Sequence, residues 1–124
     1  MTSIPDILAM GPVMPVIVID DSSKAVPLAQ ALIDGGIRTI EITLRTPAAL
    51  ESIRAVADAC PDILIGAGTV TNEPLATSAR DAGARFLVSP GTTDAVIKGA
   101  ADARLPLLPG AASVSEIMRL MDAG

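Results

Sequence analysis

Residues 40–46 read IEITLRT. In an extended chain, successive side chains point to opposite faces. Ile40, Ile42 and Leu44 then share one face, and Glu41, Thr43 and Arg45 share the other. An acid, a hydroxyl and a base on one face of an apolar strand can do chemistry. Glu41 and Arg45 are four residues apart, about 13 Å at roughly 3.3 Å per residue. That spacing suits two separate roles better than a side-by-side pair: an acid deep in a site and a cation at its mouth. A carboxylate shielded from water has a raised pKa and can shuttle protons near neutrality. An arginine can grip a carboxylate or phosphate through two parallel hydrogen bonds. The plainer alternative stays open: both side chains pair elsewhere and only stabilise the sheet.

The rest of the composition narrows the chemistry. There are no histidines, which removes His-based acid/base catalysis, His-containing triads and most zinc sites. No metal and no cofactor is expected. The single cysteine, Cys60, cannot form an internal disulfide and reads as core packing. The chain has 124 residues and a net charge of -5, with only Lys24 and Lys98 as lysines and no basic run. Nucleic acid is therefore not an expected partner. The N-terminal stretch has no basic residue before Lys24 and is interrupted by Pro5, Pro12 and Pro15, unlike a signal peptide. No apolar run is long enough to span a bilayer, so no membrane partner is expected. The disulfide-poor composition predicts a cytoplasmic protein.

The elements that must position Glu41 and Arg45 follow a regular beat. Strands are predicted at 15–19, 39–44, 63–66, 85–88 and 105–108, spaced by about one βα unit. Helix signals fall between them. Ser22 or Ser23 caps a helix that ends before Gly35-Gly36. Thr46-Pro47 reads as a cap with proline at the first helical position. Leu50, Ile53 and Val56 follow at helical spacing. Thr71 or Asn72 opens a third helix, and Thr92 or Thr93 a fourth. Ser113 to Glu116 forms a capping box before Ile117, Leu120 and Met121. The segments IDGGIR, DAGAR and ADARL each hand a helix on to a strand.

This alternation predicts an α/β fold with a parallel sheet, a single domain over residues 1–124 with an N-terminal segment and five βα units. Two architectures compete. An open doubly wound sheet has central strands that read as continuous apolar runs. A (βα)8 barrel has strands whose inner face can turn polar toward the catalytic end. The alternation in IEITLRT favours the barrel, truncated to a partial barrel of about five strands. Active sites of such folds lie at the C-terminal strand ends. Those ends carry Glu41, Thr43 and Arg45, then the sequences GAGT, SPGT and PGAAS. The glycine-rich ends can present backbone N–H groups to an anion, or be ordinary tight turns. GAGTVTNE is not a dinucleotide fingerprint. No lysine lies at a strand end.

The segments GPVMPVIVI, ALIDGGIRTIEITLRTPAAL, IGAGTV, LVSPGTT and LPLLPGAASVSEIMRLMDAG together resemble the 2-keto-3-deoxy-6-phosphogluconate (KDPG) and 4-hydroxy-2-oxoglutarate (KHG) aldolases. The resemblance runs over the whole chain. It implies a (βα)8 barrel, usually a homotrimer, and a class I aldolase. In such an enzyme a lysine condenses with the substrate's keto group, and cleavage yields pyruvate with glyceraldehyde 3-phosphate or glyoxylate. It implies that Glu41 is the general acid/base and that Arg45 and Thr69 bind the pyruvate carboxylate. It also implies that Pro90 and Gly91 line the site on the fourth-strand turn. The family's reacting lysine belongs to a sixth strand, which would begin after Gly124. The phosphate-binding turns belong to the seventh and eighth.

Four readings follow. The chain is a truncated aldolase homologue, inactive alone, that binds pyruvate or a small keto acid weakly. Or it is a scaffold that self-associates through exposed sheet edges, a homo-oligomer with strands exchanged between chains. Or the five units rearrange into a flavodoxin-like sheet. Or the 124 residues are a fragment of an ordinary enzyme.

Overall fold

The computed structural model describes residues 3–124. Helix α1 (Ile4–Ala9) starts at Ser3, whose side chain accepts from the Asp6 backbone, and it carries proline in its first turn. Five strands follow: β1 (Val16–Ile17), β2 (Thr39–Thr43), β3 (Leu64–Gly68), β4 (Phe86–Ser89) and β5 (Leu107–Pro109). After them in turn come α2 (Ala25–Asp34), α3 (Ala49–Ala59), α4 (Glu73–Asp81), α5 (Asp94–Ala103) and α6 (Val114–Ala123). A short 3-10 helix, Ser22–Lys24, precedes α2.

All neighbouring strands are parallel and their order is β1-β2-β3-β4-β5. Sequential order is that of a barrel wall. A flavodoxin-like sheet needs the first strand moved inward, so that rearrangement does not occur. Five parallel βα units thus form one open sheet, a partial barrel.

One face of the sheet carries the helices. Ile40 and Ile42 of β2, Ile65 and Ala67 of β3 and Leu87 of β4 join Ala29, Ile53, Val56, Ala76 and Ala79 in one buried cluster. Helices pack in neighbouring pairs, α2 on α3 and α4 on α5. The abundance of alanine on these faces brings helix and sheet close together.

The other face is the inner one, and here the middle strand is bare. Glu41 is in register with Gly66, and Thr43 with Gly68, while Gly66 also faces Phe86. A Cβ on Gly66 would fall inside the Phe86 ring, 2.6 Å from its Cδ2. A Cβ on Gly68 would run into the Glu41 carboxylate, 2.6 Å from its Cδ. The two glycines are the seats of the two side chains. Phe86 is fully buried, the chain's one aromatic residue, yet it lies outside the cluster under the helices.

Several local expectations are corrected. β3 runs on through Gly68, two residues past the predicted end, because the neighbouring side chains fill the space the glycines leave. β1 is only two residues long, and β5 begins at Leu107. Neither Ser22 nor Ser23 caps α2: Asp21 caps the short 3-10 helix, its carboxylate accepting from Ser23 N at 3.0 Å and from the Ser23 hydroxyl at 2.7 Å, and α2 follows Lys24 without a side-chain cap. Thr46 does not cap α3. Its hydroxyl donates to the Ile19 carbonyl instead, tying β2's exit to the end of β1, and α3 begins at Ala49 without a side-chain cap. Asn72, Thr93 and Ser113 cap α4, α5 and α6. Gly36 and Gly83 take the left-handed turn after their helices, and where glycine is lacking Arg104 takes it, at φ 56°. α6 keeps its apolar side chains in solvent: Ile117 is 50% and Met121 76% exposed.

Gly66→Ala tests the bare middle strand. The added methyl must displace a ring that has no free space, so the variant is expected to lose about 1–3 kcal/mol of stability. Chemical denaturation of the two proteins measures it.

Candidate active site

The C-terminal ends of β2 and β3 hold the candidate residues. Glu41 enters from the middle of β2, and its side chain lies across Gly68 of β3. It is 6% exposed. Burial pushes its carboxyl above the ordinary glutamate value, and the Arg45 guanidinium pulls it part of the way back. Thr43, between them, spends its hydroxyl on the Ile17 carbonyl at 3.0 Å. It joins β1 to β2 and has no donor left for a ligand.

Arg45 is placed differently from the sequence expectation. The strand ends at Thr43, so Leu44 and Arg45 lie in a turn and the extended spacing does not apply. The Leu44 N–H donates to the Gly68 carbonyl at 2.8 Å, which fixes that turn against β3. Arg45 is exposed, and its Nε donates to the Thr69 hydroxyl at 3.0 Å. The planar guanidinium thereby has its orientation set through Nε, while its terminal nitrogens stay available for a bidentate anion.

Thr69 adopts φ 59°, a left-handed conformation uncommon for a β-branched residue. Val70, just after it, donates to the Val88 carbonyl at 3.1 Å. The backbone is therefore anchored on both sides of Thr69, and the hydroxyl is delivered to Arg45. Strain of this kind clusters where geometry serves a function.

Pro90 and Gly91 stand on the turn after β4, at the same end of the sheet. Their turn is bound to the end of β5. The Gly110 N–H donates to the Ser89 carbonyl at 2.8 Å, the Ser89 hydroxyl to the Gly91 carbonyl at 2.9 Å, and the Thr92 hydroxyl to the Gly110 carbonyl at 2.7 Å. The structure thus brings Glu41, Arg45 and Thr69 together and places Pro90 and Gly91 on the adjoining rim. Sequence reasoning read Gly66 and Gly68 as a strand-end turn and gave Phe86 no role in the site. Their signal was available: glycines at alternate positions of a strand strip one face of side chains.

Among the described residues no cluster of three potential metal ligands occurs. A cavity of about 630 Å3 lies elsewhere, between α5, β5 and α6, lined by Ile97, Leu105, Pro106 and Leu120 among others. It holds none of the residues above. The polar groups Glu41, Arg45 and Thr69 meet instead at the β2–β3 end.

Because folded Glu41 holds its proton more tightly than it does in the unfolded chain, ionising it costs stability. That stability is present below the ordinary carboxyl value of 4.5 and is lost as pH rises through the higher folded value. Glu41→Gln is therefore expected to be more stable than the parent at pH 7. The gain should shrink toward zero below pH 4.5. Thermal melts across pH read both parts.

Known proteins resemble this chain in sequence and fold. The family model for KDPG and KHG aldolase matches residues 4–124. The 2-dehydro-3-deoxy-phosphogluconate aldolase of Dickeya dadantii is 50% identical over 123 residues, which is 99% of this chain and 58% of that protein. The crystal structure of the KDPG aldolase of Zymomonas mobilis superposes with a TM-score of 0.93 at 43% identity, over 98% of this chain and 59% of the other. A KDPG aldolase of Legionella pneumophila, solved with pyruvate captured at low pH as a covalent carbinolamine intermediate, gives 0.91 at 44% identity, over 96% and 58%. The chain spans somewhat more than half the length of these relatives. With its whole described fold and its IEITLRT strand inside that match, the chain belongs to the KDPG/KHG aldolase family.

Proposed function

We propose that these 124 residues supply the proton-transfer group and the carboxylate grip of a KDPG/KHG aldolase site. The observation that carries this reading is the convergence of a buried acid, Glu41, with a cation, Arg45, that Thr69 orients. A 2-keto acid such as pyruvate offers matching groups: a carboxylate for the Arg45 fork and a reacting centre that needs a proton moved. Glu41, held above its ordinary pKa, is suited to give and take that proton.

The class I route also needs an uncharged amine to attack the keto carbon. The Legionella relative's trapped carbinolamine is that kind of adduct. The two lysines here are badly placed for it. Lys98, on α5, pairs with Glu73 at 2.7 Å and Asp102 at 2.8 Å, and both hold it protonated. Lys24 is exposed in the 3-10 turn that packs against α3. These residues by themselves therefore bind a keto acid without forming a covalent adduct.

Borohydride reduction in the presence of pyruvate, read by intact mass, tests the second half. No adduct is expected on the folded chain, and an adduct would overturn it. Pyruvate titration followed by NMR tests the first half. Arg45→Ala should weaken binding roughly tenfold or more, the value of a lost charged hydrogen bond.

A second reading, self-association, rests on one specific observation. Val16 lies in register with Glu41, on the inner face, and is 59% exposed; Val18 is 51% exposed. Apolar side chains on an open sheet edge favour covering by another copy. Light scattering after size exclusion is expected to give an oligomer, and a clean monomer would sink this reading.

A further inference from the structure

Glu41 lies across Gly68, and the position beside it on β3, Gly66, is covered by another side chain. Glu41 and Gly66 face each other in register across β2 and β3, and Gly66 and Phe86 do so across β3 and β4. The Phe86 ring leans back over Gly66 and fills the space a side chain there would take. An apolar ring thus lies over the backbone directly opposite Glu41's own. Phe86 is 0% exposed, so no water reaches the acid through it. The helix-side core makes no use of this ring.

We infer that Phe86 is a positioning residue for Glu41: seated on Gly66, its ring keeps the acid's side chain on Gly68 and excludes water from that flank. The inference deepens the reading of Glu41 as the proton-transfer group, because the ring would set how readily that proton moves. An acid beside an apolar wall holds its proton more tightly than one in water. Among the described residues, Arg45 is the one titratable group whose charge acts on Glu41. Across the neighbouring strands it faces Val16 of β1, Gly66 and Gly68 of β3, and beyond them Phe86 of β4, none of which titrates.

The test is the titration of the Glu41 carboxyl carbon by NMR, its resonance assigned by its loss in Glu41→Gln. The parent is expected to titrate above exposed glutamates. Phe86→Leu, which opens the space over Gly66, should lower the midpoint by about half a pH unit or more. Ile40→Val, on the opposite face of β2, should leave it unchanged. A role for Phe86 in packing alone would lower stability in both variants and move neither midpoint. A folded Phe86→Leu with an unmoved Glu41 midpoint overturns the inference. So does a parent whose Glu41 titrates like an exposed acid. Should Phe86→Leu fail to fold, Phe86→Met takes its place. Its thin chain also leaves part of the space over Gly66 open, and an unshifted midpoint there overturns the inference equally. Failure of pyruvate binding would leave all these midpoints where they are, so the two readings fail separately.

Discussion

The site depends on the absence of two side chains. β3 is the middle strand, and on its inner face it offers backbone alone at Gly66 and Gly68. Its neighbours use the vacancy from opposite sides, β2 with Glu41 and β4 with Phe86. Without it, an acid in the middle of a parallel sheet would have to stand upright into the barrel space, where water solvates it. Lying flat on a glycine, it is largely out of water and needs no buried partner charge. A fully paired acid would be ionised and inert near neutrality; a fully dry one would be costly to keep. Glu41 falls between, with burial raising its pKa and one cation at a remove lowering it.

The period of the sequence carried much of this. Alternation in residues 40–44 separated the helix-side face from the polar face, and Ile40 and Ile42 do lie under the helices while Glu41 does not. The regular βα spacing gave five parallel strands. The errors nearest the site share a physical cause: they concern groups whose partners are distant in the chain. Thr46 looked like a helix cap because the local pattern is a cap pattern, but a carbonyl 27 residues earlier claims its hydroxyl. Gly66 and Gly68 looked like turn residues because glycine is a turn former in isolation. Only the side chains of two other strands make them strand residues. Arg45 was placed by extrapolating the strand, and the strand stops at Thr43 once Leu44 bonds to Gly68.

Thr69 shows how the cation is fixed. A left-handed β-branched residue costs roughly 1–2 kcal/mol relative to an unstrained one. Glycine or asparagine would adopt the same φ more easily, but glycine would bring no hydroxyl to Arg45. The conformation persists because the chain is held on either side, by the Gly68 carbonyl accepting from Leu44 and by the Val70 N–H donating to Val88. Both anchors are backbone bonds between β2, β3 and β4. The orientation of an exposed arginine is thus set by the pairing of the sheet.

That dependence locates the site in the most constrained part of the fold. Glu41, Gly66, Gly68 and Phe86 lie on β2, β3 and β4, and Arg45 and Thr69 directly follow β2 and β3. Each of these three strands is paired on both sides. The open edges are β1 and β5, and the loosely packed helix is α6. Whatever covers those edges, the acid, its seat and the oriented cation are fixed by interior pairings. Closure by further strands or by another copy would change what solvent and reactants reach the site. The relation between Glu41 and Arg45 would remain that of the three inner strands.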